Sequence, residues 1–514
     1  MADKITVGQL RVKCRFTFLS ILHCGIHAKY GEHTVAEITG TVKRSEALAF
    51  FSDVTEDTVE IFSQDESGVE EVLFSGVMES VELGEEGQYA SLSVRALSCT
   101  WKMDIERKNR SFQDLSMTYR DVAEQVIQEH DADMSWQLSD RPLEYPLIQY
   151  QETDFCFLKR IFSHLEESIT PTDLQKKVCF CAGVRNGNHI GRIELNKKAH
   201  SILQFRGKKQ IGYRIEGMDY VRVGDVLSIQ GQACYVMEVE AVFRQNDLNC
   251  TCIVFPKRCF EVERISADTL RGAVITGKVL ETKQEMVRLH LDIDNDQAVG
   301  TAYDFPWKPI TGNLLYCMPE KGTKAALYFG KEEESSGAVI YNVRENGEKC
   351  SETVNPNDRY FTTDYDKRMY LKPSEAGLLN MTDQNAVVAL KDGSSVQVKS
   401  SHQISILAEG QIELKGRSIK FTAPREATLV KRDILSSTVI NMCNAFDAIG
   451  ATGNFTAAPK TVKKKRTRIA GGQKIEKYSL NGVVEDVLSN IPADDMGSPV
   501  MEAVAASMPV VSKY

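Results

Sequence analysis

The chain has 514 residues, 42% apolar and 26% charged, a globular balance that at ~150 residues per domain predicts three or four domains. Its 71 acidic side chains against 62 basic ones give a net charge of −9, which argues against a general binder of nucleic acid or anionic membrane. No apolar run approaches the ~18 residues of a membrane span, and the thirteen cysteines are scattered without a CxxC, so collagen-like, coiled-coil, transmembrane and disulfide-stapled architectures are excluded. The opening Met1-Ala-Asp-Lys-Ile5 carries no apolar core with a cleavage site, and the expectation is synthesis in the reducing cytoplasm.

Residues 1–110 read as short alternating strands: Thr58–Phe62, Glu71–Phe74, Val77–Leu83 and Tyr89–Arg95, with Gly68, Gly76, Gly84 and Gly87 as turn punctuation. This predicts a first β-barrel. Residues 53–86 hold twelve acidic side chains and no Lys or Arg, read either as solvated faces or as a surface for a basic partner. Over 111–170 the text becomes helical. Thr118-Tyr-Arg-Asp121 has the capping-box form, with Val122, Val126 and Ile127 following at helical spacing. A second helix is expected to open at Asp154 as N-cap, with Phe155, Leu158, Phe162 and Leu165 on one face and Phe157 and Ile161 widening it. Strands resume over 171–265 (Val178–Cys181, Arg192–Leu195, Val226–Ile229, Ala233–Val239, Cys250–Phe255), predicting a second barrel. Residues 266–347 hold four or five strands, which suits a small OB-type barrel.

Residues 348–425 carry a repeat. Apolar pairs separated by one residue occur at Val388/Leu390, Val396/Val398, Ile404/Ile406 and Ile412/Leu414, a step of eight each time, and Ile419/Phe421 follows one residue early. Asp392–Ser395, Ser400–His402, Glu409-Gly410 and Gly416 supply turns between them. A fixed period is the mark of stacked, quasi-one-dimensional β structure. Because side chains i and i+2 share a face, one copy of such a stack exposes its apolar side. Three copies wound into a prism would enclose every pair and leave Lys391, Lys399, Glu413 and Lys415 to water; the competing reading is an ordinary meander. Beyond Pro424, residues 426–514 read as a helix over Leu435–Ala448. A flexible basic tail follows, with eight basic residues and one acid, Glu476, in 459–477.

These residues resemble a known family. Arg110-Ser-Phe112-Gln113 is similar to the "R-x-F-Q" entry segment of phage-tail hub and VgrG (valine-glycine repeat) proteins. Gln149-Tyr150-Gln-Glu152-Thr-Asp154, followed by Phe157-Leu158-Lys-Arg160, resembles their "Q-Y-x-E-S/T-D…F-L-x-R" signature. Pro319–Phe329 with Val339–Asn342 resembles the end of their OB barrel. The resemblance covers about residues 5–425. It implies a mainly β chain with two hub barrels, an inserted α/β segment, an OB collar and an intertwined trimeric β-helix. Its implied role is that of a homotrimer at the tip of a contractile injection machine (phage tail, tailocin or type VI-like system). The implied partners are the inner tube protein above, baseplate proteins around it, and a PAAR-like tip protein or effector at the C-terminal extension. The target membrane is pierced mechanically, with no nucleic acid bound. Such a chain is assembled in the cytoplasm and delivered outside on contraction. The chain departs from the family in that no glycine directly follows a doublet, and its extension beyond 425 has no matching counterpart.

No catalytic, cofactor or metal site is expected. GxSxG, HExxH and phosphate-loop motifs are missing. A spike carrying peptidoglycan-hydrolysing or effector activity is the alternative, but residues 426–514 offer only Glu476, Glu485, Asp486, Asp494, Asp495 and Glu502, with few aromatic residues to line a sugar cleft. A free-standing carbohydrate-binding β-helix is a further alternative. Asp292–Asp296 opens like a calcium loop, but Gln297 and Tyr303 occupy the positions where Gly and the bidentate Glu belong, so a solvated turn is expected. Cys179/Cys181 and Cys250/Cys252 are read as buried apolar thiols rather than as metal ligands with His164, His189 and His200. Residues 270–345 hold nine basic and eleven acidic residues without a basic stripe, which disfavours oligonucleotide binding by the collar.

Overall fold

The computed structural model describes residues 5–441 apart from 7, 51–56, 85–86, 194–198, 207, 245–246, 313–314, 346–349, 421, 423–427 and 433–436. The chain divides into two compact units, Met1–Glu345 and Asn346–Tyr514.

The first unit opens with strands β1 (Leu10–Lys13), β2 (Ser20–Lys29) and β3 (Val35–Lys43), helix α1 (Arg44–Phe50), then β4 (Thr58–Gln64), β5 (Glu70–Leu83) and β6 (Tyr89–Ser98). Alternation decides which way they face. Ala36, Ile38 and Val42 of β3 point inward opposite Ala96, Val94 and Ala90 of β6, while Glu37 and Thr39 point outward. Gly68 and Gly87 occupy left-handed turns as expected, but Gly76 does not turn. It sits inside β5, where a Cβ would collide with the Leu97 carbonyl oxygen of β6, so the two runs read as separate strands are one long strand.

An inserted segment follows: β7 (Arg107–Phe112), α2 (Tyr119–Ile127), β8 (Asp133–Trp136), β9 (Leu147–Thr153), α3 (Asp154–Ser163), β10 (Ile169–Pro171) and β11 (Cys179–Ala182). The capping box of α2 forms as the spacing predicts: Asp121 N donates to Thr118 Oγ1 at 3.2 Å, and Thr118 N donates to Asp121 Oδ2 at 2.8 Å. The cap of α3 is Thr153 rather than Asp154; Thr153 Oγ1 accepts from Cys156 N at 3.3 Å and frees the Asp154 carboxylate for other partners. Strand β11, expected in the second barrel, pairs instead with β8 and β10, and Phe180 completes the core formed by Val122, Phe157, Leu158 and Phe162.

Strands β12 (His189–Ile193), β13 (Ala199–Arg206), β14 (Lys208–Met218), β15 (Val226–Ile229), β16 (Gln232–Arg244) and β17 (Asp247–Phe255) correspond to the second expected barrel. The two β regions are not separate bodies. Strand β2 pairs antiparallel with β16, from Lys29↔Glu238 to Gly25↔Val242, so one hydrogen-bonded path runs β1-β4-β5-β6-β3-β2-β16-β17-β14-β13. A single apolar core lies under it, joining Ile26, Ile38, Phe74 and Leu92 to Val236, Val239, Phe255 and Phe260. The thiols of Cys250 and Cys252 are buried in this core, which pushes them up to about 11 and about 12.

Strands β18 (Val274–Lys283), β19 (Met286–Leu291), β20 (Asp304–Pro306), β21 (Lys324–Phe329) and β22 (Gly337–Val343) form the small barrel in the order β20-β19-β18-β21-β22. Lys308 N donates to Val339 O at 2.8 Å and closes it around Val287, Leu289, Phe305 and Leu327.

The second unit begins with five antiparallel strands in sequence order: β23 (Arg359–Thr362), β24 (Lys367–Lys372), β25 (Glu375–Asn380), β26 (Val387–Lys391) and β27 (Ser395–Lys399). A hairpin of β28 (Thr428–Arg432) and β29 (Ser437–Asn441) comes later. The helix expected over Leu435–Ala448 is therefore corrected for Ser437–Asn441, where Thr438-Val-Ile440 supplies a β-branched run. The rest of that helix and the basic tail lie outside the described residues. No described helix is long and apolar enough to cross a membrane.

Gly76→Ala is expected to destabilise the first unit by about 1–3 kcal/mol, because the clash is with backbone that cannot rotate away. Denaturant unfolding followed by tryptophan fluorescence measures it; an unchanged midpoint would mean that the β5–β6 approach is looser than described.

Candidate functional site

Two features concentrate the residues singled out by the sequence: a buried ionic joint in the first unit and an uncovered sheet face in the second. The joint is built by the pairing of β7 with β9, which sets Arg110 opposite Gln149 and Phe112 opposite Leu147. A bulge between Lys108 and Arg110 and the left-handed backbone of Gln151 (φ 53°) turn the two signature segments toward α3.

Asp154, only 1% exposed, is the acceptor for four donors. Gln149 Nε2 lies 2.9 Å from Oδ1, Lys108 Nζ and His130 Nε2 lie 2.8 and 2.6 Å from Oδ2, and the Arg110 guanidinium also bonds Oδ1. Burial alone would raise this carboxyl, but the hydrogen bonds from His130, Lys108 and Gln149 and the Arg110 charge outweigh it and hold it well below the usual carboxylate range. Arg110 in turn donates to Gln149 Oε1 at 2.7 Å and Glu129 Oε1 at 2.7 Å.

Arg160, also 1% exposed, lies about 1.7 turns along α3 from Asp154. Its Nη2 donates to Ile148 O at 2.9 Å and Glu152 Oε2 at 3.0 Å, and its Nη1 donates to Glu334 Oε1 at 2.6 Å. Glu334 belongs to the small barrel, so this guanidinium ties the insert to the collar. The same boundary is sewn by Gln113, which donates to Leu289 O and accepts from Tyr303 N, both at 3.2 Å, and by Ser111, whose N and Oγ donate to Asp294 at 2.6 and 2.5 Å. Tyr150 packs against the collar core, Leu158 is buried in the core of the insert, and the Phe112 and Phe157 rings stack at 5.7 Å. The ten signature residues thus divide between the inside of the insert, where Asp154, Phe112, Phe157 and Leu158 hold it together, and its boundary with the collar, which Arg160, Gln113 and Tyr150 reach.

Asp294, expected in a solvated turn, is instead a bond between insert and collar. Asp292 accepts from Lys324 Nζ at 2.7 Å, and no group of three potential ligands among the described residues could hold a metal ion. A recess of about 930 Å³ opens beside the joint, but Lys108, Arg110, Glu129 and Asp294 on its wall already bond one another or Ser111. Sequence reasoning missed Glu334 and Asp294. The first sits in the acidic run Glu332–Glu334 that reads as solvated, and nothing local marks a partner 174 residues away.

The second feature is the octad face. On β26 and β27, Val388 lies opposite Val398 and Leu390 opposite Val396, so both doublets project from one side of the hairpin. From 400 to 420 the chain forms no helix, strand or bridge, and it bends at 401–402, 409–410 and 416–417, the spacing of the doublets themselves. Val388, Leu390, Val396, Val398, Ile404, Ile406, Ile412, Leu414 and Ile419 are 43–70% exposed. Phe421 lies outside the described residues.

Residues 37–166 match the model of the phage tail baseplate hub family, a span that contains every signature residue. A chain of the Francisella PdpA–VgrG complex in its lidded state matches with a TM-score of 0.52 at 7% identity, covering 77% of this chain and 81% of that one. A chain of the lidless PdpA–VgrG complex matches with a TM-score of 0.50 at 6% identity, covering 78% of this chain and all of that one. A type VI secretion component of E. coli, described as structurally similar to the T4 bacteriophage tail proteins gp27 and gp5, matches at 13% identity and a TM-score of 0.47, covering 65% of this chain and all of that one. No curated protein matches. The mainly β, multi-sheet architecture expected is therefore the one found, and the resemblance to baseplate hub and VgrG proteins holds.

Arg160→Met strands Glu152 and Glu334 without their shared cation and is expected to destabilise the first unit by about 3–5 kcal/mol in denaturant unfolding. A loss below 1 kcal/mol would mean that the joint is not closed to water. Acid acts through His164, which burial and then the charges of Arg264, Arg160 and Arg141 push down to about 3 from its ordinary 6.5. The folded chain refuses a proton that the unfolded chain accepts, so stability falls as pH drops from 6.5 toward 3, by about 2–3 kcal/mol at pH 4.5. His164→Asn, whose amide stands where Nδ1 meets the Tyr119 hydroxyl but cannot titrate, should flatten that slope; an unchanged slope would place the acid sensitivity elsewhere.

Proposed function

We propose that this protein is the structural, non-enzymatic hub-spike of a contractile injection machine. In this reading it is a homotrimer that caps the inner tube, sits among baseplate proteins and pierces the target envelope when the sheath contracts. The observation that carries the reading is residues 400–420: apolar doublets half exposed, on a main chain that bends at their own period and joins no strand ladder among the described residues. Backbone outside any ladder among the described residues and an apolar row without cover are two demands that the same neighbours can meet. Two sister chains supply both, since each brings strands and an identical row. Enclosing the exposed half of nine side chains is worth on the order of 1 kcal/mol each, enough to drive association.

Three chains carrying two β regions apiece offer six similar surfaces, which suits a six-fold tube, and the prism reduces that ring to a three-fold needle. Load along such a prism is shared, because no strand leaves without breaking bonds to both neighbours. The joint at Arg160 supports the same role: it locks the insert to the collar with buried charge rather than leaving a hinge. A tip protein or effector would occupy the C-terminal extension, whose residues beyond 441 also hold the carboxylates of the hydrolase alternative.

Sedimentation equilibrium on the full chain tests the reading. Three copies are expected, and Ile404→Asp, which sets three carboxylates in one enclosed layer, should raise the monomer–trimer midpoint at least 100-fold. A monodisperse single subunit overturns the homotrimer. Clearing of a cell-wall substrate by the full chain in a zymogram overturns the non-enzymatic part.

A further inference from the structure

Three segments distant in sequence close around a cavity of about 20 Å³ in the first unit. Ala28 and Lys29 of β2, with Thr34 beyond it, form one wall; residues 170–174, the loop that leaves β10, form the second; Arg185 and residues 220–223, which precede β15, form the third. The first β region, the insert and the second β region meet here. Wall residues also bind β5: Ser75 N donates to Asp173 O at 2.6 Å, the Tyr220 hydroxyl donates to Leu73 O at 3.0 Å, and Arg222 Nη2 donates to Val72 O at 2.5 Å.

Most polar side chains on these walls already have partners. Thr170 Oγ1 donates to Gly183 O at 2.7 Å, Lys29 Nζ to Glu32 Oε1 at 2.6 Å, and Arg185 to Val223 O at 3.0 Å and Asp225 Oδ1 at 2.5 Å. Asp173 is the exception among the acceptors. It is only 6% exposed, and burial raises its carboxyl above the ordinary carboxylate range, offset in part by the charges of Arg222 and Arg185 and by the Thr34 hydroxyl. Neither guanidinium forms an ion pair with it among the described residues. Arg222 is the exception among the donors. Its guanidinium stands over the Tyr220 ring at 4.9 Å, and its Nε is buried with no hydrogen-bond partner among the described residues. A buried carboxyl short of donors and a guanidinium short of acceptors therefore line the same small space.

We propose that this cavity is a built site for one ordered water, bonded to the Asp173 carboxyl and accepting a hydrogen bond from the Arg222 guanidinium. Size selects the ligand: a water needs roughly 10–15 Å³ of such space, so about 20 Å³ admits one and excludes a second or any larger molecule. Charge selects it too. A neutral molecule that donates and accepts at once satisfies both groups, whereas an anion would be repelled by Asp173 and a metal ion by Arg222. Leaving either group bare in the interior costs more than immobilising one water. Bridged in this way, Asp173 on the insert and Arg222 on the second β region are fixed against β5 in a single geometry. The site lies wholly within the first unit and does not depend on the oligomeric state.

A crystal structure of the full chain at about 1.5 Å tests this directly. One ordered water at hydrogen-bond distance from both the Asp173 carboxyl and the Arg222 guanidinium is expected. A dry cavity, or an Arg222 turned to bond Asp173 itself, overturns the site. Denaturant unfolding of the full chain gives a second reading through Trp101, Trp136 and Trp307, all in the first unit. Asp173→Asn keeps an oxygen for the water and should leave the unfolding constant within about three-fold of wild type. Asp173→Leu, of similar size but apolar, leaves Arg222 without its bridge and should raise that constant at least about ten-fold. Asn as damaging as Leu would mean that direct attraction between the charges holds Arg222; Leu as harmless as Asn would mean that the space is an apolar void. Either result overturns the site. Should Asp173→Leu fail to fold, the wild-type crystal and Asp173→Asn decide between the same outcomes.

Discussion

A strand that carries apolar side chains at i and i+2 presents them on one side, and water penalises that side until another apolar surface meets it. In the C-terminal unit this constraint is met on one face only. Tyr370, Gly377 and Ala389 close the outward side with residues of the same sheet, while the rows that contain Leu378, Val388 and Val398 remain open. From 400 to 420 the backbone is in the same condition as the side chains, outside any strand ladder among the described residues. Everything proposed about assembly follows from those two open demands being placed on the same stretch of chain.

The first unit answers its own demands internally. Pairing of β2 with β16 fuses two β regions over one core, so they make a continuous layer rather than two beads on a linker. Its insert is welded to the small barrel by charge. Buried ion pairs contribute little to stability when compared with apolar packing, but losing one partner is severe, and that asymmetry gives a joint a single permitted geometry. Asp154 and Arg160 each gather several partners from distant parts of the chain, which is the behaviour of a positioning device rather than of a reactive group waiting for a substrate.

A mechanical reading accounts for these features together. Motifs that look like chemistry, the acidic Asp292–Asp296 run and the paired cysteines, turn out to serve cohesion: Asp294 bonds Ser111 across a domain boundary, and Cys250 and Cys252 fill the core. The family signature does the same. Its arginines, carboxylates and glutamines are side chains that elsewhere make active sites, and here they hydrogen-bond one another and the backbone of the collar.

What the sequence determined by itself was whatever repeats or alternates locally. The strands of the small barrel, the capping box of Thr118 and Asp121, the apolar face of α3 and the eight-residue period were all legible, because each depends on neighbours within one or two turns of chain. The tertiary structure alone decided the rest. Gly76 reads as a turn until the Leu97 carbonyl is seen beside it, Asp154 reads as a cap until its four donors converge, and Ser437–Asn441 reads as helical until it pairs with β28. Glu334 looks like surface until Arg160 reaches it across 174 residues. Met369 and Leu371 have the same doublet form as the octads but fall outside their period, and only strand register places them on the same face. In each case the deciding partner is remote in sequence, and pattern within a window carries no information about what folding will bring against it.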